Sequence, residues 1–203
     1  MTGSGQVPGP REGTRGRIEA AALDLFTRRG FEGVTIDEVA VVAGISRRTF
    51  FRYFATKADA VWGDFSGHAE RLAGLLRDAG TGQTVLASIC DAYVEVNDYA
   101  PGNLPLLRQR MQLILTEPAL LAHSQVRYAD VDRVVAEYVA ARTGTEPGDL
   151  LARLVATSTR AAATTAFEAW LSSPQFSLDK ALRTAFDELA SGFRSLDVYA
   201  SNA

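Results

Sequence analysis

The chain has 203 residues, of which 47% are hydrophobic; this is enough for one or two domains with a buried core and excludes a short peptide or a disordered chain. The net charge of -3 is uneven: residues 1–57 carry nine basic and six acidic side chains, a balance of +3 that leaves -6 for the remainder, so the N-terminal part is the end suited to a polyanion. The single cysteine excludes an intramolecular disulfide, and no segment approaches the ~20 apolar residues of a membrane helix or has the apolar core of a signal peptide, so we expect a cytoplasmic protein without a membrane span.

The first residues and the first helix differ sharply in composition. Residues 1–13 are rich in Gly, Pro and Ser and predict a flexible arm, because they cannot bury enough apolar surface to become ordered. From Thr14 the apolar residues recur with helical spacing, and Gly30 follows the basic pair Arg28 and Arg29 as a stop signal. We therefore predict a first helix from Thr14 to Arg29.

Two short helices joined by a tight turn are predicted next. Thr35 and Glu38 form a capping box for the second helix, which ends at Gly44. Ser46 is placed to cap a third helix that continues to Phe54. This is a helix-turn-helix arrangement, whose second helix can lie in the major groove of DNA.

The third helix, in "GISRRTFFRYFATK", has two different faces. At about 100° per residue, Phe50 and Phe54 point to one side while Arg48 and Arg52 point to the other. An exposed arginine pair is often merely solvated, but arginine also contacts guanine edges and phosphates with a planar fork. The turn and the basic N-terminal part favour DNA contact by Arg48 and Arg52.

Helical periodicity continues to the end of the chain. Thr56 and Asp59 predict the cap of a long fourth helix over 57–78, and further helices are predicted over 84–98, 104–115, 118–142, 146–171 and 177–198. No segment alternates polar and apolar residues as a strand would. The fold class is therefore all-α.

The segment "AALDLFTRRGFEGVTIDEVAVVAGISRRTFFRYFATKADAV" resembles the DNA-binding domain of TetR-family transcriptional regulators, matched over 18–61. The resemblance implies a helix-turn-helix domain over 14–63 and a ligand-binding and dimerisation domain over 64–203. It also implies that one set of residues lies at or near DNA: Thr35, Ser46, Arg47, Arg48, Thr49, Phe51, Arg52, Tyr53 and Lys57, with Thr35 and Lys57 on phosphates. Phe51 stands where the family commonly has a tyrosine, so it packs on either a thymine methyl or the sugar backbone.

The acidic second part carries fewer local signals. Its last two helices contain many small residues, as in "ATSTRAAATTAFEAW", and small side chains suit close packing either within one chain or between two copies. The resemblance favours a homodimer through 150–171 and 178–196. Candidates for a ligand pocket combine apolar bulk with polar tips: Tyr93, Asn97, Arg108, Met111, His123, Arg127, Tyr128 and Trp170. Arg108 and Arg110 are free to pair with a ligand anion or with Asp98 or Glu117.

Function classes other than gene regulation have little support. The two histidines, His68 and His123, have no neighbours at metal-ligand spacing, and no phosphate loop or nucleophile elbow occurs, so neither a metal, a cofactor nor an enzyme is expected. A helical protein-interaction module would leave Arg48 and Arg52 unexplained. The segment "RQRMQLILTEPALLAHSQVRYADVDRVVAEYV", taken with "SRRTFFRYFATKADAVWGDF", is similar to actinobacterial regulators, including those of the mycofactocin system. This resemblance implies an acyl-CoA-like or other amphipathic effector. We predict a ligand-responsive regulator, by family default a repressor, that binds a palindromic DNA operator.

Overall fold

The computed structural model describes residues 10–173 and 176–193, apart from the side chains of 10–12, 66 and 125. Within these ranges all regular structure is helical and no strand occurs, which confirms the predicted fold class. The helices are α1 (Pro10–Arg29), α2 (Ile36–Val42), α3 (Arg47–Tyr53), α4 (Lys57–Trp62), α5 (Phe65–Asp78), α6 (Val85–Val96), α7 (Leu104–Thr116), α8 (Pro118–Thr143), α9 (Leu150–Ser172) and α10 (Leu178–Ser191), with a 3-10 turn at Pro101–Asn103.

The chain forms two compact units whose membership differs from the expected domain division. The first contains the described residues up to Gly63 together with Gly102–Ala122, and the second contains Asp64–Pro101 and the described residues from His123 onward. The boundary after Gly63 is the one that the sequence suggested. However, α7 and the start of α8 pack with the N-terminal helices, although the sequence assigned them to the second domain.

The first unit has a core built on α1. Ile18, Leu23 and Phe26 are at most 1% exposed, and the Phe26 ring meets Phe31 edge to face at 5.1 Å. From α7, Arg110 Nη2 donates to Glu19 Oε2 at 2.7 Å, so Arg110 takes neither of the acidic partners suggested by the sequence. This ion pair links α7 to the helix that supports the helix-turn-helix segment.

The predicted fourth helix is divided in two at Gly63. Gly63 has φ 60°, a conformation that side-chain-bearing residues rarely adopt, and Asp64 caps the new helix α5 by accepting from Gly67 N. A Cβ at position 63 would lie 2.9 Å from Arg110 Nη1, and Arg15 donates to the Gly63 carbonyl at 2.9 Å. The break therefore needs glycine for its backbone and for the close approach of arginine side chains.

Three other helix ends differ from the prediction. α1 begins at Pro10 rather than Thr14, while residues 1–9 of the predicted arm lie outside the described residues. α9 begins at Leu150 rather than 146, because Asp149 adopts an extended N-cap conformation and its carboxylate accepts from the backbone of Glu146. α10 ends at Ser191, where Gly192 takes the left-handed conformation; residues 194–203 lie outside the described residues.

The second unit is built around α9. Some of the small side chains of α9 are buried within the chain itself, among them Ala152, Ala156 and Ala163 at 5% exposure or less, whereas Thr157, Ala161, Thr165 and Ala169 are exposed. α9 packs most extensively on α10, whose Leu182 and Phe186 are also buried. The buried small residues of α9 pack within one chain, and the exposed ones leave packing between two copies as a prediction.

Candidate nucleic-acid interface

The helix-turn-helix segment is fixed by local capping bonds. Thr35 and Glu38 form the predicted capping box of α2, and the Thr35 backbone N–H donates to Glu38 Oε2 at 2.8 Å. The turn closes through Gly44, with φ 67°, and through a bond from Ile45 N to Ala40 O at 2.9 Å. Ser46 then caps α3 by accepting from Thr49 N at 3.1 Å. These bonds set the angle at which α3 leaves the turn.

The two faces of α3 are arranged as the helical spacing predicted. Phe50 is completely buried and Phe54 is 2% exposed, with their ring centroids 5.7 Å apart. Arg48 and Arg52 are exposed. The aromatic side anchors α3 in the first unit, and the arginine side is left accessible to a partner.

Arg47 is held in place by two neighbours. Its Nη1 donates to Asp37 Oδ2 at 2.7 Å, and its guanidinium lies over the Phe51 ring at 5.5 Å from the centroid. Phe51 itself is 45% exposed, a high value for a large apolar ring. Because both partners of Arg47 are at the surface, the ion pair adds little stability but limits where the guanidinium can point.

The remaining residues of α3 that the resemblance implied also lie at the surface or near it. Arg52 stacks over the half-buried Tyr53 ring at 5.1 Å. Ser46 is exposed and Thr49 is half-buried, and their hydroxyls lie 3.0 Å apart. The structure thus brings the α3 candidates together on one short helix.

Lys57 and Thr35, expected on phosphates, make hydrogen bonds within the first unit. Lys57 Nζ donates to the carbonyls of Phe31 at 2.6 Å and Val34 at 3.1 Å, and lies 4.2 Å from the Phe31 ring centroid. The Thr35 hydroxyl bonds Glu38 Oε2 at 2.8 Å. In this structure both polar groups therefore stabilise the loop and the cap around α2.

The first turn of α2 adds negative charge beside the arginine face. Asp37 pairs with Arg47, and Arg29 Nη1 lies 2.8 Å from Glu38 Oε1. Hydrogen bonds from the backbone and side chain of Thr35, then from Arg29, lower the pKa of Glu38 to about 2. Both carboxylates are thus bound to neighbours, which reduces their repulsion of an approaching anion.

Sequence reasoning missed two features of this surface. It did not assign Asp37 as the partner of Arg47, ten residues away. It also did not use Val41 and Val42, which are 79% and 55% exposed at the end of α2. The apolar stripe of α2 gave a usable signal, because helical spacing from Val39 and Ala40 turns Val41 and Val42 away from the core.

The predicted ligand-pocket residues do not all belong to the same unit. Arg108 and Met111 lie on α7 in the first unit, whereas the other candidates belong to the second. His123 is exposed and Arg127 is half-buried, while Trp170 is 3% exposed. The predicted set is therefore divided between the two units.

Part of the set in the second unit is brought together with residues that the sequence did not suggest. Tyr93 is 5% exposed, and Asn97, also buried, donates to the Tyr93 carbonyl at 2.8 Å and so serves the end of α6. Tyr128 lies under Arg160 at 5.6 Å, and Arg160 bonds Asp132. Asp132 and Arg160 are 28 residues apart on different helices, so no local pattern could have paired them.

A surface groove between α5 and α6 has a volume of about 380 Å³ and does not involve those residues. It is lined by Leu75, Asp78, Ala79, Gln83, Ser88, Asp91, Ala92 and Glu95. Three carboxylates make it unsuited to an anionic ligand.

In the described part of the chain, no group of His, Cys, Asp and Glu side chains is placed to hold a metal ion. None of the described helices is both long and apolar enough to cross a membrane.

Comparison with known proteins matches both the N-terminal and the C-terminal part of the chain to transcriptional regulators. Residues 18–60 match the family model described as bacterial regulatory proteins, tetR family, and residues 83–194 match the MftR C-terminal domain. The chain is 36% identical over 187 residues to a Mycobacterium tuberculosis protein named for mycofactocin biosynthesis transcriptional regulation, MftR, covering 92% of this chain and 94% of the relative.

Solved structures share the fold at low identity. NalD, the secondary repressor of the MexAB-OprM multidrug efflux pump in Pseudomonas aeruginosa, superposes with a TM-score of 0.64 at 20% identity, covering 89% of this chain and 96% of its own. The SmeT–triclosan complex gives 0.63 at 14% identity, covering 89% and 91%. Together with the two family matches, which span the helix-turn-helix segment and most of the second unit, these findings show that the chain belongs to the TetR family of transcriptional regulators and is not an enzyme.

Proposed function

We propose that this protein is a cytoplasmic repressor that binds a palindromic operator as a homodimer and is released by a small amphipathic effector of the acyl-CoA-like class. The observation that carries the DNA-binding part is the division of α3, with Phe50 fully buried and Arg48 and Arg52 exposed. A helix anchored on one side and basic on the other fits the major groove.

The DNA contacts follow from position on α3. Arg48 and Arg52 contact base edges or phosphates, and Arg47, held over Phe51, contacts the backbone or a neighbouring base. Ser46, Thr49 and Tyr53 add contacts through their hydroxyls, and Phe51 packs on a thymine methyl. Because the Lys57 ammonium and the Thr35 hydroxyl are already bonded internally, they contribute through the shape of the loop and cap.

Dimerisation is supported by an exposed apolar patch at the start of α9. Leu150, Leu151 and Leu154 are 83%, 50% and 57% exposed, and adjacent leucines in contact with water favour burial against another surface. A second copy of the chain would bury them and would present two α3 helices to two half-sites about one DNA turn apart.

The effector-binding and repressor assignments rest on relatives. SmeT was solved with triclosan, and NalD is described as a repressor. Both share this fold, so we assign effector binding to the second unit and repression to its effect on DNA affinity. The pocket candidates that we retain in the second unit are Tyr93, Tyr128 and Arg127. Trp170 and Asn97 support them from the core, and His123 lies at the surface.

Selection of DNA from a random duplex pool, followed by fluorescence anisotropy on the selected site, tests this function. We expect a palindromic site, and affinity that falls steeply with salt as phosphate contacts release counterions. Arg48→Ala and Arg52→Ala should each weaken binding by roughly tenfold to a hundredfold, without change in thermal stability. Arg77→Ala, an exposed arginine of α5, is the matched control and should bind as the wild type does.

Two results would count against the proposal. Failure to select any sequence would leave a helical protein-interaction module as the better reading. Equal losses for Arg77→Ala and Arg48→Ala would show that α3 has no special role in DNA binding.

A further inference from the structure

Tyr93 carries a buried hydroxyl that has no well-formed hydrogen bond within the described residues. The side chain lies on α6, is 5% exposed, and packs its ring against Phe186 at 5.3 Å. Its phenolic oxygen is buried, and although the Thr159 hydroxyl lies near enough to interact with it, no partner meets it at hydrogen-bond distance and angle within the described part of the chain. Leaving such a group unpaired costs about 1–3 kcal/mol, so a buried hydroxyl of this kind usually has a partner that the protein alone does not supply.

The groups around this hydroxyl are polar and come from two other helices. Asp132 and Tyr128 of α8 and Arg160 of α9 lie close enough to act on it electrostatically, and Thr159 of α9 lies near enough for a weak hydrogen-bonding contact. The Thr159 hydroxyl, itself buried, directs its hydrogen to the carbonyl oxygens of Val155 and Ala156, at 2.8 and 3.0 Å. The surroundings are therefore a polar cluster inside the second unit.

Arg160 is the donor-rich member of that cluster. Its Nε donates to both carboxylate oxygens of Asp132, at 2.8 and 3.1 Å, and its guanidinium lies over the Tyr128 ring. Within the described residues, the hydrogen bonds of Arg160 to other side chains all run through Nε, so its terminal N–H groups remain available. The ion pair as a whole has no net charge, because Asp132 neutralises Arg160.

The cluster is bordered by aromatic rings. Tyr128 meets Phe65 at 5.9 Å, and Phe65 stacks on His68 at 5.7 Å. Burial, and then the charge of Arg71, lowers the pKa of His68 to about 4, so this imidazole is uncharged at neutral pH. An apolar ligand body would meet aromatic rings here without meeting a free charge.

We propose that Tyr93 and Arg160 bind the polar head of the effector, and that this head is an uncharged carbonyl group, such as that of a ketone, ester or amide. The Tyr93 hydroxyl and the terminal N–H groups of Arg160 donate to the carbonyl oxygen, which satisfies the buried hydroxyl. A carboxylate fits less well because it would lie beside Asp132, whose charge already balances Arg160. This inference rests on the proposal that the second unit binds an effector.

Three small probes of matched size test the head group: acetophenone, ethylbenzene and benzoate. Their affinities for the purified full-length protein, without DNA, can be measured by ligand-observed NMR or calorimetry. We expect acetophenone to bind roughly tenfold more tightly than ethylbenzene and more tightly than benzoate. Equal binding of acetophenone and ethylbenzene, tighter binding of benzoate, or no binding of acetophenone would each overturn the assignment.

Variants identify the atoms involved. Tyr93→Phe should keep the fold and weaken acetophenone binding roughly fivefold to tenfold, while ethylbenzene binding stays unchanged. Tyr138→Phe is the matched control, since the Tyr138 hydroxyl contacts Arg142 instead. Asp132→Asn leaves Arg160 without its counter-charge and should raise benzoate affinity roughly tenfold. If Tyr93→Phe binds acetophenone as tightly as the wild type does, the Tyr93 hydroxyl does not contact the ligand. That result would overturn the proposal.

The outcome is separable from that of the DNA experiment. A protein that selects an operator but fails to prefer acetophenone keeps its function and loses this site. A protein that binds acetophenone through Tyr93 but selects no DNA keeps the site and loses the proposed function.

Discussion

One substitution, Lys57→Met, tests whether Lys57 stabilises the fold or contacts DNA. Lys57→Met removes the ammonium group and keeps most of the aliphatic stem. The variant loses two hydrogen bonds from a charged donor, to the carbonyls of Phe31 and Val34, and a cation–π contact at 4.2 Å from the Phe31 ring centroid. Each bond contributes about 1.5 kcal/mol at the lower end for charged groups, and the ring contact adds about 0.5–1 kcal/mol. Because Lys57 is only half-buried, water replaces part of these interactions. We therefore expect the free energy of unfolding to decrease by about 2–3 kcal/mol.

Thermal unfolding followed by circular dichroism measures this loss. For a chain of this length, about 2–3 kcal/mol corresponds to a Tm decrease of roughly 5–10 °C. Lys180→Met is the matched control, since Lys180 is exposed and its Nζ lies 5.3 Å from the Phe176 ring centroid. If Lys57 only contacts a phosphate, the Tm should stay unchanged. The slope of log affinity against log salt concentration should then decrease by the amount expected for about one phosphate contact. That second result would refute the structural reading of Lys57.

Three further predictions concern the other parts of the molecule. Phe50→Ala removes a fully buried ring and should destabilise the first unit by about 3–5 kcal/mol in chemical denaturation; a loss under 1 kcal/mol would contradict the burial of α3. His68 has a folded pKa of about 4 against 6.5 when unfolded, so the unfolded chain binds the proton more readily and stability should fall as the pH is lowered from 6.5 to 4, by at most about 3 kcal/mol. His68→Gln should flatten that part of the pH profile. Leu154→Glu should shift sedimentation from dimer to monomer, and a variant that still sediments as a dimer would place the interface elsewhere.

Local sequence patterns predicted α3 well because its determinants lie within one or two helical turns. Ser46 caps the helix three residues from its bonding partner, and the spacing of Phe50 and Phe54 fixes which side is buried. The exposure of Arg48 and Arg52 then follows from helical geometry alone. The predicted capping box of α2 was correct for the same reason.

Patterns were less reliable where a local signal had two meanings. The long apolar repeat after Thr56 predicted one helix, but Gly63 takes a positive φ and Arg110 approaches it, so the helix is interrupted. The small residues of α9 suited either a dimer or a single chain, and the structure buries some of them within the chain while Ala161 and Ala169 stay exposed. Composition could not choose between these alternatives, because the choice depends on what packs against each helix.

By itself the sequence determined that the chain is helical, where its helix-turn-helix segment lies, and which face of α3 is exposed. Only the tertiary structure decided that Lys57 bonds carbonyls up to 26 residues away, that Arg110 pairs with Glu19 across 91 residues, and that Asp132 meets Arg160 beside Tyr93. Capping and helical periodicity act over three or four residues and are therefore visible in the sequence. The partner of a long side chain is instead set by how whole helices pack, and a local pattern carries no record of that arrangement.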